Sequence, residues 1–578
     1  MSDFIYSNKQ GDVESMAMLL KKIFPEPEKT EIKTFCGLWG ALAVKIGPYN
    51  GFFPYENSRY ICVVLGAPVL FWTGNEFLTN QNQSSIGSQA IFERWYEGKF
   101  DWTEDISGPS CVLIIDKLEK FIHCVTDLML YVPVYHYCSK DKLVLGTHVD
   151  IVAHAAGQRT NIDHSSVVDF ILNGVVTYPY TSYNEITQLA PATIHIYEKI
   201  NSDLSVQRNI YWMPTESNPY RTLKDAAIEL KSGICDYINR VTSNMKEIGE
   251  FISAGEDSRA IAGLLPEELI RHAYIFVDEK NREWEIAKRV ANLYGCKFHY
   301  LLRSPTHYLD IIETASGLIG SGFQYTHAHP LGLMEIVGAD KLLAVFGGFI
   351  SDTLLKCLQR RKNLFTRGFS FFPDVELKGE TRTVPLTSDA IERDMLKVID
   401  ARRRNHYQNV LDHRPSTAHE WFDLWPMSMN VHLPNITFNR RLFKSYEPFT
   451  DKTVVKISAS VPTVWKLNRR LFHEAFKNSL RKSSIVPHAD GRYPYFPWWA
   501  NTFLQMPVWL DVTIKKIIKS KDNHGPWGNW NYITSTKEWE ELMCKYEINS
   551  YGIKCFQKLS VSSKLNYMQT KYLLNDFL

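Results

Sequence analysis

The chain has 578 residues, 45% of them apolar and 22% charged, and a formal net charge of +2. Such a length allows roughly two to four domains, each with its own core. The near-neutral balance excludes any general attraction to nucleic acid or to an acidic membrane surface.

Ten cysteines are scattered along the chain without a CxxC pair or a Cys/His cluster of zinc spacing, which argues against structural zinc. Scattered thiols without a framework suit a reducing compartment. The opening "MSDFIYSNKQGD" has no basic segment followed by an apolar one, and no apolar run is long enough to span a bilayer, so a cytoplasmic location is expected.

From residue 1 to about 205 the chain reads as β-rich. "RYICVVLGAPVLFW", "CVLIIDKLEKFIHCVTD", "LMLYVPVYHYC" and "KLVLGTHV" are β-branched and aromatic runs separated by turn residues. "HSSVVDFILNGVV" reads as a short helix, with Ser near its start and Gly near its end. "PATIHIYEK" is a strand and "INSDLSVQRN" a polar linker. "PYRTLKDAAIELKSGICDYINRVTSNM" then shows helical periodicity. From about 249 strands and helices alternate: "GEFISAGEDSRAIAGLL", "HAYIFVDE", "REWEIAKRVANLYG", "KFHYLL" and "KLLAVFGG". That alternation predicts a parallel sheet, and the remainder, from about 352, reads as largely helical. Two domains are therefore expected, 1–205 and 206–578.

The loop Ser253-Ala254-Gly255-Glu256-Asp257-Ser258 interrupts an apolar run between a predicted strand and a predicted helix. Ligands of parallel sheets bind at the carboxyl ends of strands, and a helix start favours an anion. Gly255 allows close backbone approach, and Ser253 and Ser258 add hydroxyls. The acids Glu256 and Asp257 suit a phosphate site if Mg²⁺ bridges carboxylate and phosphate.

This loop resembles the S-G-G-x-D-S loop of the ATP pyrophosphatases, with Ala254 in place of the first Gly. Five further segments, in order, resemble the asparagine synthetase family, which includes the β-lactam synthetases and lasso-peptide cyclases. They are "CVTDLMLYVPVYHY", "ITQLAPATIHIY", "REWEIAKRVANLYG", "LLAVFGGFISDTLL" and "YEPFTDKTVVKISASVPTVWKL". The resemblance implies an α/β and α+β protein: an N-terminal class II amidotransferase-like sandwich of two antiparallel sheets, then a Rossmann-like ATP pyrophosphatase domain with added helices. It implies an ATP- and Mg²⁺-dependent synthetase that adenylates a carboxylate, releases pyrophosphate and couples the acyl group to an amine. By position, the loop from Ser253 to Ser258 would hold the nucleotide, and Asp257 and Asp352 the metal.

The chain departs from this pattern in three places. No cysteine lies near the start, Cys36 being the first, and Ser2-Asp3 stands where glutamine-using members expose a nucleophilic Cys. Glutamine-independent amide formation, as in the β-lactam synthetases and lasso cyclases, is the expectation. Phe349 occupies a position that is acidic in asparagine synthetase. The family's charge-stabilising lysine has no clean match, and Lys482 and Arg492 are the candidates. His327 and His329, two apart in "YTHAHPLG", read as sharing the face of a strand and, with Phe349, as candidates to line a substrate pocket. The aromatic loop "YPYFPWW" is a candidate cover.

The substrates expected are a small-molecule or peptide carboxylate and an amine, in natural-product or modified-peptide biosynthesis. No nucleic acid or membrane is expected, and a homodimer is left open. Two alternatives share the loop: a tRNA-acting PP-loop enzyme, and a catalytically degenerate nucleotide-binding scaffold.

Overall fold

A computed structural model describes residues 2–80, 83–200, 203–357, 360–367, 369, 371–376, 388–517, 528–547 and 550–578. Residues 1 to 210 supply twelve strands to two six-stranded antiparallel sheets. In chain order these are β1 (Asp3–Ser7), β2 (Ile32–Gly37), β3 (Gly40–Lys45), β4 (Tyr55–Glu56), β5 (Tyr60–Gly66), β6 (Ser110–Asp116), β7 (Ile122–Thr126), β8 (Tyr135–Cys138), β9 (Leu143–Gly146), β10 (Ile186–Gln188), β11 (Thr193–Ile200) and β12 (Asp203–Ile210). The sheet orders are β10-β8-β9-β1-β3-β2 and β12-β11-β7-β6-β5-β4.

Alternate residues of facing strands form one shared core: Phe4 and Tyr6, Leu42 and Val44 from the first sheet; Ile61, Val63 and Leu65, Cys111, Leu113 and Ile115 from the second. The opposite faces of β5 and β6 are buried too. Burial on both faces explains why these strands read as unbroken apolar runs rather than as alternations.

The segment read as a polar linker is a strand. β12 pairs with β11 over its whole length, with Thr193 opposite Ile210 and Ile200 opposite Asp203. Its polar side chains reflect its place at a sheet edge, and a domain boundary at 205 would cut it. The predicted helices are α1 (His164–Asn173) and α2 (Leu223–Thr242). Asp163 caps α1 by accepting from the amides of Ser165 and Ser166, and Gly174 ends it at φ 73°. Thr222 and Asp225 form a capping box on α2.

The third sheet is parallel and has five strands: β13 (Glu247–Phe251), β14 (Ile270–Val277), β15 (Lys297–Leu302), β16 (Val345–Phe346) and β17 (Ser445–Tyr446). The order is β15-β14-β13-β16-β17, so the chain direction of growth reverses between β13 and β16. The crevice at the carboxyl ends of such a strand pair is where a parallel sheet opens to a ligand. Helices α3 (Glu256–Ala262), α4 (Arg282–Leu293) and α6 (Leu433–Leu442) pack against this sheet, and α5 (Ser351–Leu355) follows β16. Among the described residues, no helix is long and apolar enough to cross a membrane.

The sandwich meets the parallel-sheet region through a buried charge cluster. Asp3 on β1 is fully buried and accepts from Arg441 on α6, with Nη2 at 2.6 Å, while Arg440 Nη2 lies 3.6 Å away. Burial alone would push the Asp3 carboxyl up, but Arg441 and Arg440 hold it down at about 2. Its folded pKa thus lies below the unfolded value of 3.8. The stabilisation is fully present above pH ~4 and is lost as pH falls through about 2, a contribution of about 2 kcal/mol. We expect Asp3→Ala to cost more, about 3–5 kcal/mol at neutral pH, because two buried guanidinium groups lose their counter-charge. Urea unfolding at pH 7 and at pH 3 measures both terms, and a variant as stable as the parent at pH 7 would refute the clamp.

Candidate functional site

The loop after β13 and the loop after β16 lie side by side at the switch point. Their contact is tight: a Cβ on Gly348 would stand 3.0 Å from Asp257 Cβ and 3.2 Å from the Ser258 amide nitrogen. Close approach is therefore required of Gly348. Gly255 has an ordinary φ of −71°, and an added Cβ there would meet only the Ser253 hydroxyl, at 2.9 Å. Behind Gly347 sits the buried Glu447 carboxyl, which accepts from the Phe349 amide. Burial pushes that carboxyl up to about 7. Ile350, next in the loop, has φ 63°, a left-handed conformation that costs a β-branched residue about 1–3 kcal/mol.

The first three amides of the 253–258 loop have acceptors within the protein. The Ser253 amide donates to Ser258 Oγ at 3.2 Å, the Gly255 amide to Ser253 Oγ at 3.0 Å, and the Ala254 amide to Glu283 at 2.6 Å. Glu283, on α4, and Arg259, on α3, hold the loop from outside. Arg259 donates to the carbonyls of Ala254, Val486 and Pro487. Ser253, Gly255, Glu256, Asp257 and Ser258 all line one cavity of about 1300 Å³.

The acids of the loop behave differently from one another. Glu256 is buried and carries paired contacts from Arg469, with Lys356 Nζ at 2.9 Å and Arg492 Nη1 at 3.9 Å. Burial would raise its carboxyl, but Arg469, Lys356 and Arg492 hold it well below the usual range. Asp257 accepts from Ser351 Oγ at 2.7 Å and from Lys356 at 2.5 Å. Burial nonetheless keeps its carboxyl up at about 7, with Lys356 opposing and Asp352 and Glu256 adding to the rise. Asp352 is 78% exposed and stands at the cavity surface, 2.8 Å from Lys356. Lys356 lowers its pKa. Ligand oxygens of Glu256, Asp257 and Asp352 all lie within 4.8 Å of one another. Three hard oxygen donors at this spacing fit Mg²⁺ or another hard cation, provided Lys356 vacates their centre.

The other sequence candidates separate cleanly. Arg492 lines the cavity and pairs with Asp490 at 2.8 Å. Lys482 does not line it: half-exposed at the surface, its ammonium pairs with Glu267 at 2.6 Å. The "YPYFPWW" residues also fall outside the lining, with Trp499 59% exposed and Asn501 fastening the turn through the Tyr493 and Phe496 carbonyls. His327, His329 and Phe349 do line it. The two histidines are not on a strand but in and after a 3₁₀ turn, Tyr325–His327. His327 faces His329 and His432 with ring centroids 5.8 Å apart, and Tyr308 Oη lies 2.9 Å from His329 Nδ1. Burial holds His327 down at about 3, and burial with the neighbouring His327 and Arg303 holds His329 well below its ordinary value.

Lys356 and Arg469 were not singled out from the sequence. The available signal for Lys356 is its i+4 spacing from Asp352. Arg469 shows no such signal; with Asn468 it forms two successive left-handed residues, φ 64° and 56°.

No protein-family model matches the chain. Over 249 residues it is 19% identical to the putative asparagine synthetase (glutamine-hydrolyzing) 2 of Methanocaldococcus jannaschii, covering 42% of this chain and 48% of that protein. The chain thus matches about half the length of this curated relative and is asparagine synthetase-like in sequence there. Two solved structures are also similar. One, described as the allosteric regulatory enzyme of purine biosynthesis, has a TM-score of 0.25 at 8% identity, over 53% of this chain and 81% of that one. The other, glutamine phosphoribosylpyrophosphate amidotransferase from B. subtilis complexed with ADP and GMP, has a TM-score of 0.19 at 9% identity, over 52% and 65%. Those scores are too low to carry an argument about the fold, which rests on the strand pairing itself.

The buried network predicts a stability effect. Glu256→Ala should cost about 3–5 kcal/mol, because Arg469 stays buried without its counter-charge while Lys356 keeps Asp257 and Asp352. Glu256→Leu combined with Arg469→Met should cost less than the sum of the two single changes. Strict additivity in denaturant unfolding would show that the two side chains are not coupled.

Proposed function

We propose that this chain is an ATP-dependent amide-forming ligase. It activates a substrate carboxylate by adenylation, with loss of pyrophosphate, and passes the acyl group to an amine. The carrying observation is the juxtaposition, at the switch point of the parallel sheet, of the 253–258 loop with Asp257, Asp352 and Glu256 on one large cavity. The sequence likeness to an asparagine synthetase supports the same reading. In it, the chain beyond β12 is a Rossmann-like synthetase domain, and the part through Ile210 an amidotransferase-like domain, so the expected boundary at 205 moves to the end of that strand.

Cavity volume supports two ligands. About 1300 Å³ exceeds the few hundred to roughly 1,000 Å³ of an ordinary small-molecule pocket. The lining includes Ser253, Ser258, Asp257, Asp352 and Arg492, polar groups suited to phosphate and its counter-ion. It also includes Tyr308, His327, His329, His432 and Trp530, aromatic groups suited to the acid or the amine. Asp257 and Asp352 would hold Mg²⁺, which offsets the charge of a leaving pyrophosphate when bound. The Ser253 and Ser258 hydroxyls, which bond each other at 3.3 Å, can turn to donate to phosphate oxygens. Arg492 is the cation placed to stabilise charge building on the activated carbonyl, and its bond to Asp490 holds it there.

We read the reaction as glutamine-independent. Ser2, where a nucleophile would be sought, is 1% exposed, and its carbonyl accepts from Arg440. Cys36 lies on the edge strand β2, exposed to solvent. The protein should release no ammonia from glutamine, and a glutamine-dependent ammonia signal from pure protein would overturn this part.

A second reading, a nucleotide-binding scaffold without turnover, is favoured by one observation: the amides of Ser253, Ala254 and Gly255 and the three carboxylates already have internal partners. Pyrophosphate release with a panel of carboxylic acids separates the two. On the ligase reading Asp257→Ala loses at least about a hundredfold of that release, the scale of one strong electrostatic stabiliser. Undiminished release by the variant would remove Asp257 from the mechanism.

A further inference from the structure

Lys356 follows α5 and is 3% exposed. Its ammonium has three protons to donate and three carboxylates around it: Asp257 at 2.5 Å, Asp352 at 2.8 Å and Glu256 at 2.9 Å. These are the same three carboxylates that each offer an oxygen within 4.8 Å of the others as a hard-cation set. A divalent ion and an ammonium cannot share that centre, since two cations about 3 Å apart repel strongly in a partly buried site.

We propose that Lys356 is a built-in cation that occupies the divalent-metal position and exchanges with the metal. This rests on the ligase reading for the identity of the metal as Mg²⁺, but not for the exchange itself. The ammonium neutralises the carboxylates in the metal-free protein, so the loop keeps its form without a bound ion. When a divalent cation takes Asp257 and Asp352, the ammonium leaves their centre.

The surroundings allow that movement. Lys356 lines the cavity, so its ammonium has open space to enter. Its charge lies 4.3 Å from the centre of the buried Phe472 ring, which supports the ammonium in its metal-free position. Glu256 keeps Arg469 throughout and stays neutralised after Lys356 departs. The displaced ammonium then joins Arg492 on the cavity wall as a second positive group facing a bound anion. Lys356 is thus a competitor of the metal and, once displaced, a second cation for the charge-stabilising role, which Lys482, outside the cavity lining, does not fill.

The test uses the full chain without nucleotide and Mn²⁺ alone as the probe, with free Mn²⁺ followed by electron paramagnetic resonance. Lys356→Met should bind Mn²⁺ at least about tenfold tighter than wild type, and adding Asp352→Asn should abolish the gain. Lys356→Arg, which keeps the charge, should bind no tighter than wild type. Equal Mn²⁺ affinity of folded Lys356→Met and wild type overturns the proposal. A second measurement needs no variant: acylation of lysines in the wild-type protein, read by mass spectrometry. Saturating Mn²⁺ should raise labelling of Lys356 several-fold and leave Lys482 unchanged, and unchanged labelling of Lys356 again overturns the proposal. Neither readout involves pyrophosphate release, so failure of the exchange and failure of the ligase reading are separately visible.

Discussion

Glu256 is a carboxylate taken out of water, and such a group holds a structure together only if its charge is met in place. Arg469 meets it from 213 residues away, with Lys356 and Arg492 beside it. Each of these cations sits on a different segment, so neutralising one acid draws four parts of the chain to one point. The Arg469 backbone turns left-handed to reach it, and so does Asn468 before it. Ile350 and Cys357, which bracket α5, share that conformation. Strained positions gather where the surrounding contacts over-determine the backbone, and here they gather around the carboxylates.

The N-terminal sandwich contributes to the same site without touching it. Helix α6 turns Arg440 and Arg441 toward Asp3 at its end, while Asn435 and Asn439 on the same helix line the cavity. Tyr49 donates to the Ser445 carbonyl and accepts from its amide, which fastens the edge strand β17. Ser107 donates to Asp451 at 2.7 Å just beyond. Glu447 lies between these anchors, behind the Gly347–Phe349 turn. The sandwich therefore works as a buttress for the back wall of the cavity, a use that requires no chemistry of its own.

At the front of the site the balance is electrostatic. Asp257 is pushed up to about 7 by burial even with an ammonium at 2.5 Å, while the neighbouring Glu256 is held far down. The difference follows from Arg469, which bonds Glu256 and not Asp257 and is itself held by the Pro494 carbonyl. Two adjacent acids in one loop thus have separate duties. Glu256 holds the loop to the rest of the fold, and Asp257, with exposed Asp352, faces the cavity as an acid whose charge an incoming cation can settle.

The alternation of strands and helices from residue 249 was legible in the sequence, because buried parallel strands are continuous apolar runs and their helices carry a 3.6-residue period. The loop at 253–258 and Asp352 were legible for the same reason: they stand at the ends of such runs. Polar edge strand β12 was not, since an edge needs few apolar side chains and reads as a linker. Two-residue β17 was not, because its pairing is decided by the neighbour β16 and not by its own pattern. The exclusion of Lys482 and the inclusion of Arg469 were decided by tertiary structure alone, while Lys356 left only its i+4 spacing from Asp352 as a local signal. Residue type and spacing specify what a side chain can do. Whether a cation meets solvent or a buried carboxylate depends on which distant segments the folded core brings together, and no local pattern records that.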